Sequence, residues 1–122
     1  MIVSSNEGRF VCNSYEEYEL CIEKCFSNKS DNEIWCTHGE KEYPCLSVLV
    51  NGEKAVCNYF SNNNEQMFAS LGNINEKGVV EFLNGQYDVA SYQVIAVDEA
   101  MKCVISFYYS EEKPDCVEWE EL

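Results

Sequence analysis

The chain has 122 residues with 22 acidic and 8 basic side chains, and its formal net charge is −14. This length predicts one domain spanning 1–122, which buries roughly 65% of its unfolded surface and needs neither a disulfide nor a metal to build a core. The acidic field repels nucleic-acid phosphates and anionic membranes, so it argues against direct binding to either and favours a basic partner, unless the charge serves only solubility.

The N-terminal stretch lacks the features of an export signal. Met1-Ile2-Val3 is followed at once by polar residues, with no basic region and no apolar core. We therefore expect the protein to stay in the cytosol. Two apolar pairs, at 2–3 and 10–11, flank the turn signal Asn6-Glu7-Gly8 and indicate either a loose hairpin or an extended lead-in.

A capping box opens the first predicted helix. The Ser14 hydroxyl can accept a hydrogen bond from the amide of Glu17, while the Glu17 carboxylate can accept one from the amide of Ser14. We expect the helix to end near Ser27-Asn28. Its apolar stripe consists of Tyr18, Cys21, Ile22 and Cys25.

A run of antiparallel strands is predicted after this helix. The stretches 33–38, 45–50 and 53–60 have strand character, and Asn51-Gly52 favours a type I′ hairpin turn between the last two. The polar loop 61–64 precedes a strand at 66–71. A connection at 72–78 leads to the next strand of the meander at 79–83, and Asn84-Gly85 turns the chain again.

The C-terminal third is predicted as strand, helix and strand. The first strand covers 92–97, and Asp98 is the expected N-cap of a helix that Pro114 terminates. The face expected to be buried consists of Met101, Val104, Ile105 and Tyr108.

In the last strand, alternation places Val117 and Trp119 on one side and Glu118 and Glu120 on the other. We expect Trp119 in the core and the two acids exposed. The whole pattern predicts an α+β domain: an antiparallel meander of five to six strands with an N-terminal and a C-terminal helix packed on the sheet.

The eight cysteines occupy mostly apolar positions of these patterns, which favours free buried thiols. A zinc site built on Cys36 and His38, with Cys45 or Cys57, is the alternative, but no C-x2-C pair supports it. Cys36 with His38 is also the one formal nucleophile and base pair. No phosphate loop or hydrolase motif occurs, so we predict neither enzymatic activity nor a cofactor or metal.

Four stretches of the second half carry a resemblance to a known family. They are 51–55, 68–73, 78–82 and an ending in which Val97-Asp98-Glu99-Ala100 starts a helix and Pro114-Asp115 precedes a strand with Trp119 between acids. These stretches resemble the first-numbered immunity-protein family of bacterial polymorphic toxin systems. The resemblance implies a cytosolic antidote that binds a cognate toxin domain, often a nucleic-acid deaminase such as one that acts on DNA cytosine.

An acidic antidote suits such a toxin, because an enzyme acting on nucleic acid needs a basic groove that the antidote can occlude. We therefore predict a monomer that forms a 1:1 complex with the toxin domain. The candidate contact residues lie at expected strand ends and turns: Glu76, Glu81, Tyr87, Asp88, Tyr92, Glu118 and Glu120. An acidic DNA mimic that inhibits another nucleic-acid enzyme, and a small metal or Cys-His protein, remain as alternatives.

Overall fold

The computed structural model describes residues 1–27 and 31–122, and within these ranges it confirms the α+β class. The predicted helix end at Asn28 lies outside the described residues. The helices are α1 (Tyr15–Ser27) and α2 (Val97–Ser106). The strands are β1 (Ile2–Ser5), β2 (Gly8–Val11), β3 (Asn32–Thr37), β4 (Cys45–Asn51), β5 (Lys54–Phe60), β6 (Met67–Leu71), β7 (Val79–Phe82), β8 (Tyr87–Ala90), β9 (Ile95–Ala96) and β10 (Glu118–Glu121).

The described main sheet has eight strands, more than the five to six predicted. Its order is β10-β6-β5-β4-β3-β1-β2, and β9 pairs with β5 beside β6. The pairings are antiparallel, and β3 to β6 form the predicted meander. Besides the meander, the sheet contains the N-terminal hairpin β1–β2, which was one of the two predicted alternatives, and the strands β9 and β10, which lie within or beside the stretches predicted at 92–97 and at the C-terminal end.

Both helices pack on one face of this sheet. Alternate residues of β3, β4 and β5 point toward them, among them Ile34, Val48 and Cys57, which have no solvent exposure. The hydroxyl of Tyr18 on α1 donates a 2.6 Å hydrogen bond to the carbonyl of Val104 on α2. This buried bond joins the two helices above the core.

The cap of α1 differs from the prediction in one partner. The Glu17 amide donates to the Ser14 hydroxyl at 3.2 Å, as expected. The Glu17 carboxylate instead accepts from the amide of Asn13 at 2.6 Å. An additional backbone donor before the helix is thus satisfied, and the acid still lies near the positive end of the helix dipole.

The β4–β5 hairpin is confirmed, but its turn lies one residue later than predicted. Asn51 pairs with Lys54, so Gly52 and Glu53 form the turn. Gly52 has φ 64° and Glu53 has no positive φ. A positive φ at only the first central position is typical of type II′ and not of type I′.

The segment before α2 is not the predicted strand at 92–97. Ser91–Gln93 is a 3₁₀ turn, followed by the two-residue β9. The Gly72 amide donates to the Tyr92 carbonyl at 2.7 Å, and the Ser70 hydroxyl donates to the Gln93 carbonyl at 2.9 Å. These bonds hold the turn against β6 and take the carbonyls that a longer strand would need.

Helix α2 begins before the predicted N-cap and ends well before Pro114. Ala96 is the N-cap, and the Glu99 carboxylate accepts from its amide at 3.3 Å, so Asp98 lies inside the first turn. A 3₁₀ turn at Phe107–Tyr109 follows the helix. The buried stripe consists of Val97, Ala100, Cys103, Val104 and Phe107. The predicted Met101, Ile105 and Tyr108 are only partly buried at its side.

The strand predicted at 79–83 does not continue the meander. It forms β7, which pairs with β8 as a separate two-stranded sheet, and the Asn84-Gly85 turn between them is confirmed. The edge of β6 is occupied instead by β10. The hairpin packs against β4, where the Asn51 side chain donates to the Glu81 carbonyl at 3.1 Å.

Candidate functional site

The sheet face that points away from the helices is the candidate site, and it is termed the open face. Register pairs such as Trp35 with Ser47 and Ser47 with Asn58 place these side chains on one side. The open face is defined by Glu33, Trp35, Ser47, Leu49, Asn58, Phe60 and Met67. The β7–β8 hairpin covers one end of it.

A pair of stacked aromatic rings lies at the centre of the open face. The Trp35 and Phe60 ring centroids are 5.7 Å apart at an interplanar angle of 25°. Trp35 is 38% exposed, although an aromatic side chain of this size is usually more deeply buried. An exposed, pre-positioned aromatic pair is typical of a protein interface, where tryptophan is an enriched hot-spot residue.

Cavities lie on both sides of this pair. The first, of about 510 Å³, is bounded by β2 and the 39–43 loop. Its basic residues are held in surface ion pairs, Arg9 with Glu40 at 3.7 Å and Lys41 with Glu111 at 3.1 Å. The second, of about 400 Å³, is bounded by β8 and Gln93 and is termed the acidic cavity.

The acidic cavity has a one-sided charge. The charged residues described as lining it are Glu33 and Asp88, and both are acidic. Tyr87 stands beside Glu33, and the nearby carboxylate raises the pKa of the tyrosine. The remaining lining consists of apolar and neutral polar side chains, including Ser47 and Asn58. This composition suits a cationic group and disfavours an anionic one.

Two of the residues predicted for partner binding, Tyr87 and Asp88, line the acidic cavity. Two others lie near the same face on β10, because Glu118 and Glu120 pair with Leu71 and Ala69. Glu118 is exposed.

Glu120 is partly buried and accepts from the Gln93 side chain at 3.2 Å and from the Tyr92 hydroxyl at 3.5 Å. The same carboxylate raises the pKa of Tyr92. Tyr92 and Glu120 therefore hold the 3₁₀ turn onto β10, in addition to any contact they make with a partner.

Glu76 and Glu81 are separate from this group. Glu76 lines a cleft formed with Lys54, Asn73 and Val80. Glu81 is exposed on β7, opposite Asp88 in the hairpin. The open face therefore unites only part of the predicted set.

Sequence reasoning missed the centre of the face, Trp35 and Phe60, and the nearby Glu33. The sequence pattern that could have identified them was present, because alternation in 33–37 places Glu33 and Trp35 on one face of the strand and Ile34 and Cys36 on the other. The alternation does not show which face of the strand is covered by the helices.

Cys36, the candidate nucleophile of the Cys36 and His38 pair, is poorly suited to that role. Cys36 is fully buried, and burial raises the pKa of its thiol to about 12, which disfavours the thiolate. His38 lies beyond the end of β3 with its ring against Phe107 at 4.6 Å. Six of the eight cysteines are buried, as their positions predict, whereas Cys116 is exposed. Within 1–27 and 31–122, no group of three or more His, Cys, Asp or Glu side chains is arranged to hold a metal ion.

None of the helices in the described ranges is long and apolar enough to cross a membrane. No family model matches the chain, and no curated protein matches it.

Proposed function

We propose that this chain is a cytosolic immunity protein, a non-enzymatic antidote that binds a cognate toxin domain and occludes its basic substrate groove. The observation that carries the proposal is the open face, where the exposed Trp35 and Phe60 stack lies beside the carboxylates of Glu33 and Asp88. The toxin class, a deaminase acting on nucleic acid such as DNA cytosine, comes from the resemblance of 51–119 to an immunity-protein family.

The two components of the face have different physical roles. The aromatic rings supply apolar area at the centre of the interface, where a buried tryptophan commonly accounts for about 2 kcal/mol or more of binding free energy. The carboxylates and the net charge of −14 attract a basic surface and accelerate encounter. A pure DNA mimic relies on charge alone, so the Trp35 and Phe60 pair favours an interface with an apolar centre over simple mimicry of phosphates.

The test is inhibition of a toxin domain encoded beside this gene. Purified chain should form a 1:1 complex with that domain in gel filtration and abolish its deaminase activity at equimolar concentration. Trp35→Ala should weaken the complex by at least about tenfold. Tyr109→Ala is the matched control, because Tyr109 is also an exposed aromatic, at 71%, but lies after α2 on the helix side of the sheet.

Two results would contradict the proposal. One is the absence of any complex with the neighbouring toxin domain. The other is a complex that Tyr109→Ala weakens and Trp35→Ala leaves unchanged, which would place the interface on the helix side.

A further inference from the structure

We propose that the acidic cavity takes the guanidinium group of a partner arginine, stacked on the Trp35 ring and hydrogen-bonded to the Glu33 carboxylate. This inference rests on the proposed function and specifies the chemical group that the partner inserts at the centre of the interface. The cavity receives one side chain, and the rest of the open face contacts the surface around that side chain.

The first support is the charge of the cavity. Among the described residues, the ion pairs are Arg9 with Glu40 and Lys41 with Glu111, so neither Glu33 nor Asp88 has a basic partner there. Both acids line a cavity of about 400 Å³, which is large enough for a long side chain. A cation in this space would meet a lining whose described charges, on Glu33 and Asp88, are both negative.

The second support is the aromatic ring of Trp35, which lines the cavity. Stacking on Phe60 at 5.7 Å holds the Trp35 indole in place while 38% of the residue stays exposed. A cation within about 6 Å of a tryptophan ring gains roughly 0.5–1 kcal/mol at an exposed site and ~2 kcal/mol when desolvated. The aromatic ring and the carboxylates therefore favour the same kind of ligand.

The polar lining favours arginine over lysine. A guanidinium is planar and weakly hydrated, stacks on aromatic faces and directs five N–H donors in its plane. The cavity offers acceptors for them in Glu33, in the Ser47 hydroxyl and in the Asn58 amide oxygen. The ammonium group of lysine is compact and strongly hydrated, so it would be attracted by the carboxylates but would not stack on the Trp35 ring.

The probe is N-acetyl-arginine amide, titrated into the isolated protein and followed by the indole N–H signals in an NMR spectrum. The Trp35 signal should shift saturably. The Trp119 signal is an internal control, because its indole donates to the Pro114 carbonyl at 2.7 Å and packs against the core on the helix side. N-acetyl-lysine amide should bind about threefold or more weakly, and the uncharged N-acetyl-citrulline amide should cause no saturable shift.

Glu33→Gln should weaken the binding of the arginine probe by about tenfold, which is the loss of one charge-assisted hydrogen bond. Glu118→Gln is the control, because Glu118 is an exposed acid on β10 outside the cavity. Equal shifts with arginine, lysine and citrulline probes, or no effect of Glu33→Gln, would overturn the proposal.

The two proposals fail differently. A toxin complex of unchanged affinity with Glu33→Gln overturns the arginine site and leaves the proposed function intact, whereas arginine binding without toxin inhibition overturns the proposed function. A second copy of this chain is a further occupant to exclude, because the sequence contains one arginine, Arg9. A dimer in sedimentation that Arg9→Gln abolishes would overturn the assignment to a toxin partner.

Discussion

The two tryptophans lie on opposite faces of the sheet, and we expect their removal to destabilise the protein to different extents. Trp119 packs against the core and donates to the Pro114 carbonyl, so Trp119→Ala should lower the free energy of unfolding by about 3 kcal/mol. Trp35 contributes mainly its stack with Phe60, so Trp35→Ala should cost no more than about 1.5 kcal/mol. Urea unfolding of both variants measures the difference.

Equal losses of stability in the two variants would contradict this assignment of roles. It would mean that Trp35 also supports the fold, and any loss of partner binding in Trp35→Ala would then have to be corrected for unfolding.

Thiol reactivity is a second property set at single residues. Cys116 is exposed, although partial burial of its thiol raises the pKa, whereas Cys36 and Cys45 are buried and burial raises their thiol pKa values to about 12 and about 11. Maleimide should therefore label Cys116 first in the native protein, and Cys36 and Cys45 only as the protein unfolds.

Mass spectrometry at intervals follows this labelling, with Cys116→Ser as the control that removes the fast phase. Under non-oxidising conditions the denatured protein should take up eight labels. Fewer than eight would indicate that a disulfide or a bound metal protects some of the thiols.

At the scale of elements, the connection between β6 and the 91–94 segment depends on a close backbone approach. A Cβ at Gly72 would lie 1.9 Å from the Val94 carbonyl oxygen. Neither backbone can move freely, because the Gly72 amide bonds the Tyr92 carbonyl and Ser70 bonds the Gln93 carbonyl.

Gly72→Ala should therefore cost at least about 2 kcal/mol and shift the signals of Tyr92 and Gln93 in an NMR spectrum. Asn75→Ala is the control, because it places the same residue type at an exposed position of the following loop. A stability of Gly72→Ala equal to that of Asn75→Ala would show that the loop relaxes at little cost.

At the scale of the whole molecule, the net charge of −14 predicts fast, salt-sensitive association with a basic partner. Raising the ionic strength from about 0.05 M to about 0.5 M should lower the association rate more than it raises the dissociation rate, because ions screen long-range attraction. Stopped-flow mixing with the proposed toxin domain measures both rates.

Charge reversal separates steering from direct contact. Glu118→Lys should slow association while the fold remains intact, because Glu118 is exposed. Glu120 is less suitable for this purpose, since reversal would also disturb its bonds to Tyr92 and Gln93. Rates that respond neither to salt nor to Glu118→Lys would mean that the acidity serves solubility alone.

The elements that could be predicted from the sequence are those specified by short-range interactions. Three such elements are the Ser14 cap, the β4–β5 hairpin and the alternation in β10, each of which depends on residues a few positions apart. Each was predicted correctly except for small local differences, such as one cap partner and a turn that lies one residue later. The α+β class followed from the same local periods, because strand and helix repeats differ regardless of how the elements pack.

Tertiary structure decided which edges pair and which face is covered. β7 does not continue the meander because β10, which comes much later in the sequence, pairs with the edge of β6. The phase of α2 was set by the pairing of Ala96 with Lys54, which fixed where the helix could begin. The candidate site depends on the same long-range packing. Alternation places Glu33 and Trp35 on one face of a strand, and this face is open only because both helices pack on the opposite face.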